Sequence, residues 1–186
     1  MSRRALIPAA AVLIALGGCA EPTGSTAGTP ANAAAARLEL CRTGSLKATI
    51  AAEPAEGTEQ TGVVTLINDS TEPCAINGWL TITLVNGAHQ PVKVPTVRVD
   101  EPGPATEFPL AADAVAYAGL KWTTCTRGEE GCGAGNFLRY DVGLSTAGPA
   151  AVLEGFPKNK RRNNVVTMSS LEVGSLQPSR TGVTDW

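Results

Sequence analysis

The sequence predicts an all-β protein, a two-sheet β-sandwich of seven to nine strands, and three observations carry that expectation. No segment holds an apolar stripe at the 3.6-residue helical period, whereas several short runs alternate with period two or are continuously β-branched. Turn signals recur about every ten residues, the spacing of a sandwich rather than of βαβ units. Gly and Pro are plentiful, at 20 and 13, and charged residues make up only 17% of the chain. That composition suits short strands joined by tight turns.

The chain divides into three parts. Residues 1–18 read as a signal peptide: Ser2-Arg3-Arg4 supplies positive charge and Ala5 to Leu16 an apolar core. The core is about a dozen residues, short of the ~20 that a membrane-spanning helix needs. Leu16-Gly17-Gly18-Cys19 resembles the bacterial lipobox. That resemblance implies diacylglycerol on the Cys19 thiol, cleavage before Cys19, and often a further acyl chain such as palmitate on the new amine. Two chains anchor a protein stably where one does not. The expected address is therefore the extracytoplasmic face of the cell membrane. Ser2-Arg3-Arg4-Ala5-Leu6-Ile7 also fits a twin-arginine signal, so the export route stays open.

Residues 19–36 read as a flexible linker, rich in Thr, Pro, Gly and Ala and without apolar periodicity. As a coil it reaches roughly 23 Å, enough to clear lipid head groups. The sandwich domain is expected over 37–186.

Within it, Leu46, Ala48 and Ile50 alternate with Lys47 and Thr49. Val63 to Ile67 is a continuous run, expected of a strand covered on both faces. Asn68-Asp69-Ser70-Thr71-Glu72-Pro73 is turn chemistry. From Trp79 to Val85, Leu80, Ile82 and Leu84 face one way and Thr81, Thr83 and Val85 the other. Asn86-Gly87 then signals a hairpin in which both residues accept positive φ. Val92–Val94 and Val97–Val99 read as an edge pair broken by Pro95.

Farther on, Ala114 to Thr124 places Leu120 and Trp122 on one face, with Tyr117 and Lys121 opposite. Phe137 to Leu144 turns Leu138, Tyr140, Val142 and Leu144 inward, and Arg139 and Asp141 outward. Val152-Leu153, Val165 to Met168, and Leu171 with Val173 complete the set.

Five cysteines are present. With Cys19 assigned to lipid, Cys41, Cys74, Cys125 and Cys132 remain, and an exported chain keeps disulfides. Four cysteines allow three pairings. Cys41–Cys74 with Cys125–Cys132 is the preferred one, because the second closes a small loop and the first ties the start of the domain to the end of its second strand. A four-thiolate zinc site is the competing reading. It lacks a C-x₂-C pair and has an oxidising address, so neither metal nor cofactor is expected. Without residues 1–18, 13 basic residues face 17 acidic ones, a balance of −4 that argues against nucleic acid as a partner.

Cys41-Arg42-Thr43-Gly44-Ser45-Leu46, Leu66-Ile67-Asn68-Asp69-Ser70 and Cys74-Ala75-Ile76-Asn77-Gly78-Trp79 together resemble domain of unknown function 4232. Its pattern joins C-x-x-x-x-L, a strand ending in N-x-S or N-x-T, and C-x-[LI]-x-G-[YFW]-P. Leu80 stands here where the family usually has Pro. The resemblance implies an immunoglobulin-like sandwich on an actinobacterial lipoprotein or secreted protein, with the first two cysteines bridged. It implies no activity.

Candidate sites are few. Lys158-Asn159-Lys160-Arg161-Arg162 is the one basic cluster. Lys158, Lys160, Arg161 and Arg162 suit anionic lipid head groups or acidic wall polymers, and the plain alternative is a polar hairpin loop. Glu129 and Glu130, beside Arg127, are a carboxylate pair for Ca²⁺ or acid–base work; solvated loop charge is the simpler reading. His89 is the sole histidine and follows a turn, where a surface role is expected. Trp79 and Trp122 read as packing residues rather than sugar platforms, and Trp186 carries no reading.

The expected function is therefore non-enzymatic: a lipid-anchored envelope protein that binds or scaffolds an envelope protein or wall polymer. A glycan- or cell-wall-binding module is the alternative, marked by an exposed aromatic row. A carboxylate hydrolase would need two acids about 5 to 9.5 Å apart across a cleft.

Overall fold

The computed structural model describes residues 37–186, which form one compact unit, Arg37–Trp186. The stretches read above as signal peptide (1–18) and linker (19–36), with the expected lipidation residue Cys19, lie outside the described residues. A 3₁₀ turn (Thr43–Ser45) leads into β1 (Leu46–Ala52), β2 (Glu59–Asn68), β3 (Cys74–Ile76) and β4 (Thr81–Val85). There follow β5 (Thr96–Arg98), β6 (Phe108–Leu110), β7 (Val115–Thr123) and β8 (Gly133–Gly135). The last four are β9 (Phe137–Asp141), β10 (Val152–Glu154), β11 (Val166–Met168) and β12 (Ser170–Val173). The described chain is all-β apart from that turn.

A six-stranded sheet runs β10-β1-β2-β7-β12-β5, with β10 and β5 parallel to their neighbours and the other pairs antiparallel. Its registers line up one apolar face. Ile50, Val64 and Ala118 form one row and Ala48, Leu66 and Ala116 the next. Leu120 stands opposite Val173 and Trp122 opposite Leu171. Three two-stranded sheets, β3-β6, β4-β9 and β8-β11, meet this face. Ile76, Leu110, Ile82, Leu84, Leu138, Tyr140, Val166 and Met168 join the same buried cluster. Twenty-five buried residues belong to it, so one core serves all four sheets.

The opposite face of β7 is covered by the C-terminal segment. Tyr117 and Gln177 exchange backbone hydrogen bonds at 2.8 Å. A Cβ on Gly119 would stand 1.7 Å from the Val183 carbonyl oxygen, so only glycine lets that segment lie so close. Trp186 donates from Nε1 to the Val183 carbonyl at 2.8 Å and packs beside Gly174.

Several sequence expectations are corrected. Twelve strands form among the described residues, not seven to nine. The additional ones, β3, β6 and β8, are three residues each, too short for a period to show; Pro109 and the Gly133-Ala134-Gly135 run hide two of them. Leu144 is 81% exposed rather than inward. Strand β9 stops at Asp141, whose Oδ1 accepts from the Gly143 and Ser145 amides and turns the chain away. The turn after β4 has its positive φ at His89 (62°), not at Asn86 or Gly87. Asn86 spans a three-residue loop, donating from its backbone to Gln90 while His89 donates back to the Asn86 carbonyl. Val92–Val94 and Val97–Val99 do not pair with each other: Val92 stays beside β4, and β5 crosses to the edge of the six-stranded sheet. Val63, in the continuous run, is buried on the far face of β2, as is Val85 on β4.

Candidate functional site

Lys158–Asn164 folds as a small hairpin on the connection from β10 to β11. Lys158 and Asn164 pair across its base, the Asn159 amide donates to the Asn163 carbonyl at 2.9 Å, and Arg162 donates to the Asn159 carbonyl at 2.8 Å. Asn159 organises the tip: its Oδ1 accepts from the Arg161 and Asn163 amides at 2.9 and 3.1 Å. Arg162 takes φ 63° to close the turn. The hydrogen bonding of the tip is thus done by backbone and Asn159, and at the base Asn136 Nδ2 donates to the Asn164 carbonyl at 2.6 Å. Lys158, Lys160, Arg161 and Arg162 are left exposed, and none forms an ion pair among the described residues. The structure brings these four cations together at one exposed tip.

Beneath the hairpin lies a cavity of about 330 Å³, lined by its flanking residues Pro157 and Val165 and by Trp122, Phe156, Gln60 and Glu53. Trp122 and Phe156 stack with ring centroids 5.6 Å apart, yet both are buried, at 5% and 6% exposure. Trp122 is therefore a core side chain. Trp79 is half-buried and donates from Nε1 to the Val99 carbonyl at 2.8 Å, pinning the chain that leaves β5. None of the eight Phe, Trp and Tyr side chains is exposed.

The two disulfides are Cys41–Cys74 and Cys125–Cys132, with Cα atoms 4.9 and 5.7 Å apart. In the second loop Glu129 is occupied structurally: its Oε2 accepts from the Thr126 amide at 2.9 Å, and its backbone bonds to Thr126 and Cys132. Gly128 and Gly131 take φ 95° and 76° to fit so tight a ring. Glu129 is thus not placed beside Glu130 as a free pair. Among the described residues no three His, Cys, Asp or Glu side chains converge as a metal site. His89 stacks on Phe137 at 5.2 Å and serves its turn.

Sequence reasoning gave Asn68 only a turn role. It is fully buried. Its Nδ2 donates to the Glu72, Leu110 and Ala111 carbonyls at 2.9, 3.1 and 3.1 Å, and its Oδ1 accepts from the Ser70 amide and hydroxyl. This clamps the β2–β3 loop to the β6–β7 loop, beside the Cys41–Cys74 bridge. The N-x-S spacing is what signals it: two residues on, Ser70 reaches the same Asn68 oxygen through both amide and hydroxyl. Tyr140 is a further buried polar group; its hydroxyl donates to the Leu46 carbonyl, opposite Asn68 in the ladder. Burial pushes its pKa above the ordinary value of 10.0.

Sequence reasoning also missed a cavity of about 640 Å³ in an open groove between β4 and β5. Its walls come from segments far apart in sequence, so no linear motif marks it.

A family model described as Domain of unknown function (DUF4232) matches residues 41–177. No curated protein and no solved structure matches the chain.

Proposed function

The chain belongs to the DUF4232 family, and from that premise we propose that it is a lipid-anchored, non-enzymatic binding or scaffolding protein of the cell envelope. Its body is read as an immunoglobulin-like sandwich tethered through Cys19, and its hairpin tip as the contact for an anionic surface. The observation that carries this reading is the tip itself. Four cations are held together on a turn whose backbone is already satisfied, and none is neutralised by a neighbouring acid among the described residues. Near an anionic membrane each such charge contributes ~1 kcal/mol. The glycan-binding alternative calls for exposed rings, and the absence of any exposed aromatic side chain among the described residues favours the anionic-surface reading.

Two experiments test it. Metabolic labelling with palmitate is expected to mark the wild type and not Cys19→Ala, with the variant leaving the membrane fraction. Full chain carrying Cys19→Ser is expected to sediment with phosphatidylglycerol vesicles and not with phosphatidylcholine vesicles. Replacing Lys158, Lys160, Arg161 and Arg162 by Ser is expected to weaken that binding at least tenfold. Equal sedimentation of the two forms removes the hairpin's role.

A further inference from the structure

We propose that the outer edge of β4 is a docking edge for an extended acidic segment of a partner protein, which adds there as a further strand. On one side β4 pairs with β9. On the other, the Leu84 carbonyl accepts from the Val92 amide at 2.8 Å. Tyr140 and Leu138, the β9 residues opposite Ile82 and Leu84, direct their backbone bonds away from β4, to Pro149 and Ala151. Antiparallel alternation therefore turns the N–H and C=O of Ile82, and the N–H of Leu84, toward the groove. None of these three groups meets a backbone partner among the described residues. Unpaired strand edges are templates for a further strand, and proteins that do not use them usually cover or bulge them.

The groove gives that edge a shape and a sign. It holds about 640 Å³ between β4 and β5. Its floor is core: Leu80, Ile82, Met168 and Leu171 are each 5% exposed or less, so the walls are already packed. What remains to be satisfied is backbone and charge. Among the described residues, Lys93 and Arg98, both exposed, are the only charged side chains lining it, and no acid joins them. Arg98 reaches across and donates from Nη2 to Thr81 Oγ1 at 3.1 Å, a hydroxyl contact that leaves its charge unneutralised. A strand beside β4 would run ~4.8 Å from it, between the two cations. Acidic side chains at alternate positions of that strand would meet them. A second copy of this chain is the disfavoured occupant, because pairing two β4 edges about a two-fold axis would bring Lys93 and Arg98 against their own counterparts.

The test is panning a random-octapeptide display library against the full chain, followed by backbone amide exchange with the selected peptide. Enriched peptides are expected to carry Asp or Glu alternating with β-branched residues. The selected peptide is expected to slow exchange at Ile82 and Leu84, and to bind Lys93→Glu/Arg98→Glu at least tenfold more weakly. Both substitutions are at exposed positions, and far-UV circular dichroism checks that the fold is kept. Serine replacement of the hairpin cations is expected to leave peptide binding unchanged, which separates this edge from the vesicle contact. The proposal is overturned if nothing is enriched, if neutral or basic peptides are enriched, if the double variant binds as well as wild type, or if exchange slows elsewhere. Dimerisation of the peptide-free chain through the same amides would assign the edge to a second copy instead.

Discussion

Asn68 and the Lys158–Asn164 hairpin are both polar turns, but they dispose of their polar groups in opposite ways. At Asn68 every side-chain donor and acceptor is used inside the protein, holding two loops beside the Cys41–Cys74 bridge. Leu46, its ladder partner, receives the Tyr140 hydroxyl. At the hairpin only Asn159 is used in this way, and four cations are presented to solvent. Buried polar groups must be satisfied or they cost free energy, whereas exposed charges are solvated at little cost and stay available. The first turn builds the fold; the second leaves its charges to solvent.

The difference can be broken at either turn, and the largest effect is expected at the first. Opening the 41–74 bridge as Cys41→Ser/Cys74→Ser should lower stability by up to about 3.8 kcal/mol on the loop-entropy model, read from urea denaturation. Asn68→Ala should cost about 3 kcal/mol, because buried carbonyls lose their donor, with the midpoint falling and the slope unchanged. A loss below about 1 kcal/mol would mean that the loops are held by something other than Asn68.

Cys125→Ser/Cys132→Ser, in the exposed loop, should cost less, up to about 2.5 kcal/mol. Tyr140 adds a dependence on pH. The buried phenol keeps its proton above 10.0, where the unfolded chain releases it. Its contribution is therefore present below that pH and is lost as pH rises through the raised folded value. Tyr140→Phe should flatten the alkaline fall in stability measured between about pH 9 and about pH 11. The smallest effect on stability belongs to the hairpin: replacing its four cations by Ser should shift stability by less than ~0.5 kcal/mol while weakening vesicle binding at least tenfold. If that variant unfolds more easily than Asn68→Ala, the contrast between the two turns is wrong.

Strands with long alternation were legible from sequence. β1, β7 and β9 bury the residues their patterns select, such as Ile50, Leu120 and Leu138, because period two maps directly onto the faces of a sheet. Leu144 broke the rule where an Asp141 side chain ended the strand, a local hydrogen bond that hydrophobicity does not report. His89, rather than Gly87, took the left-handed position, since the hairpin closed on a three-residue loop set by the Val85–Pro91 pairing. The basic cluster was visible as a run; that Asn159 leaves its cations free was not.

Taken alone, the residues determined the strand-rich composition, the long strands and the turn chemistry at Asn68, because these depend on side-chain alternation and local hydrogen bonding over a few positions. Tertiary structure alone decided that β5 joins a different sheet from β4, and that β3, β6 and β8 exist. It also placed the C-terminal segment against Gly119 and left Ile82, on the edge of β4, without a backbone partner among the described residues. Each of these follows from which backbone groups meet across large sequence separations, and a hydrogen bond between distant strands leaves no periodic trace in either one.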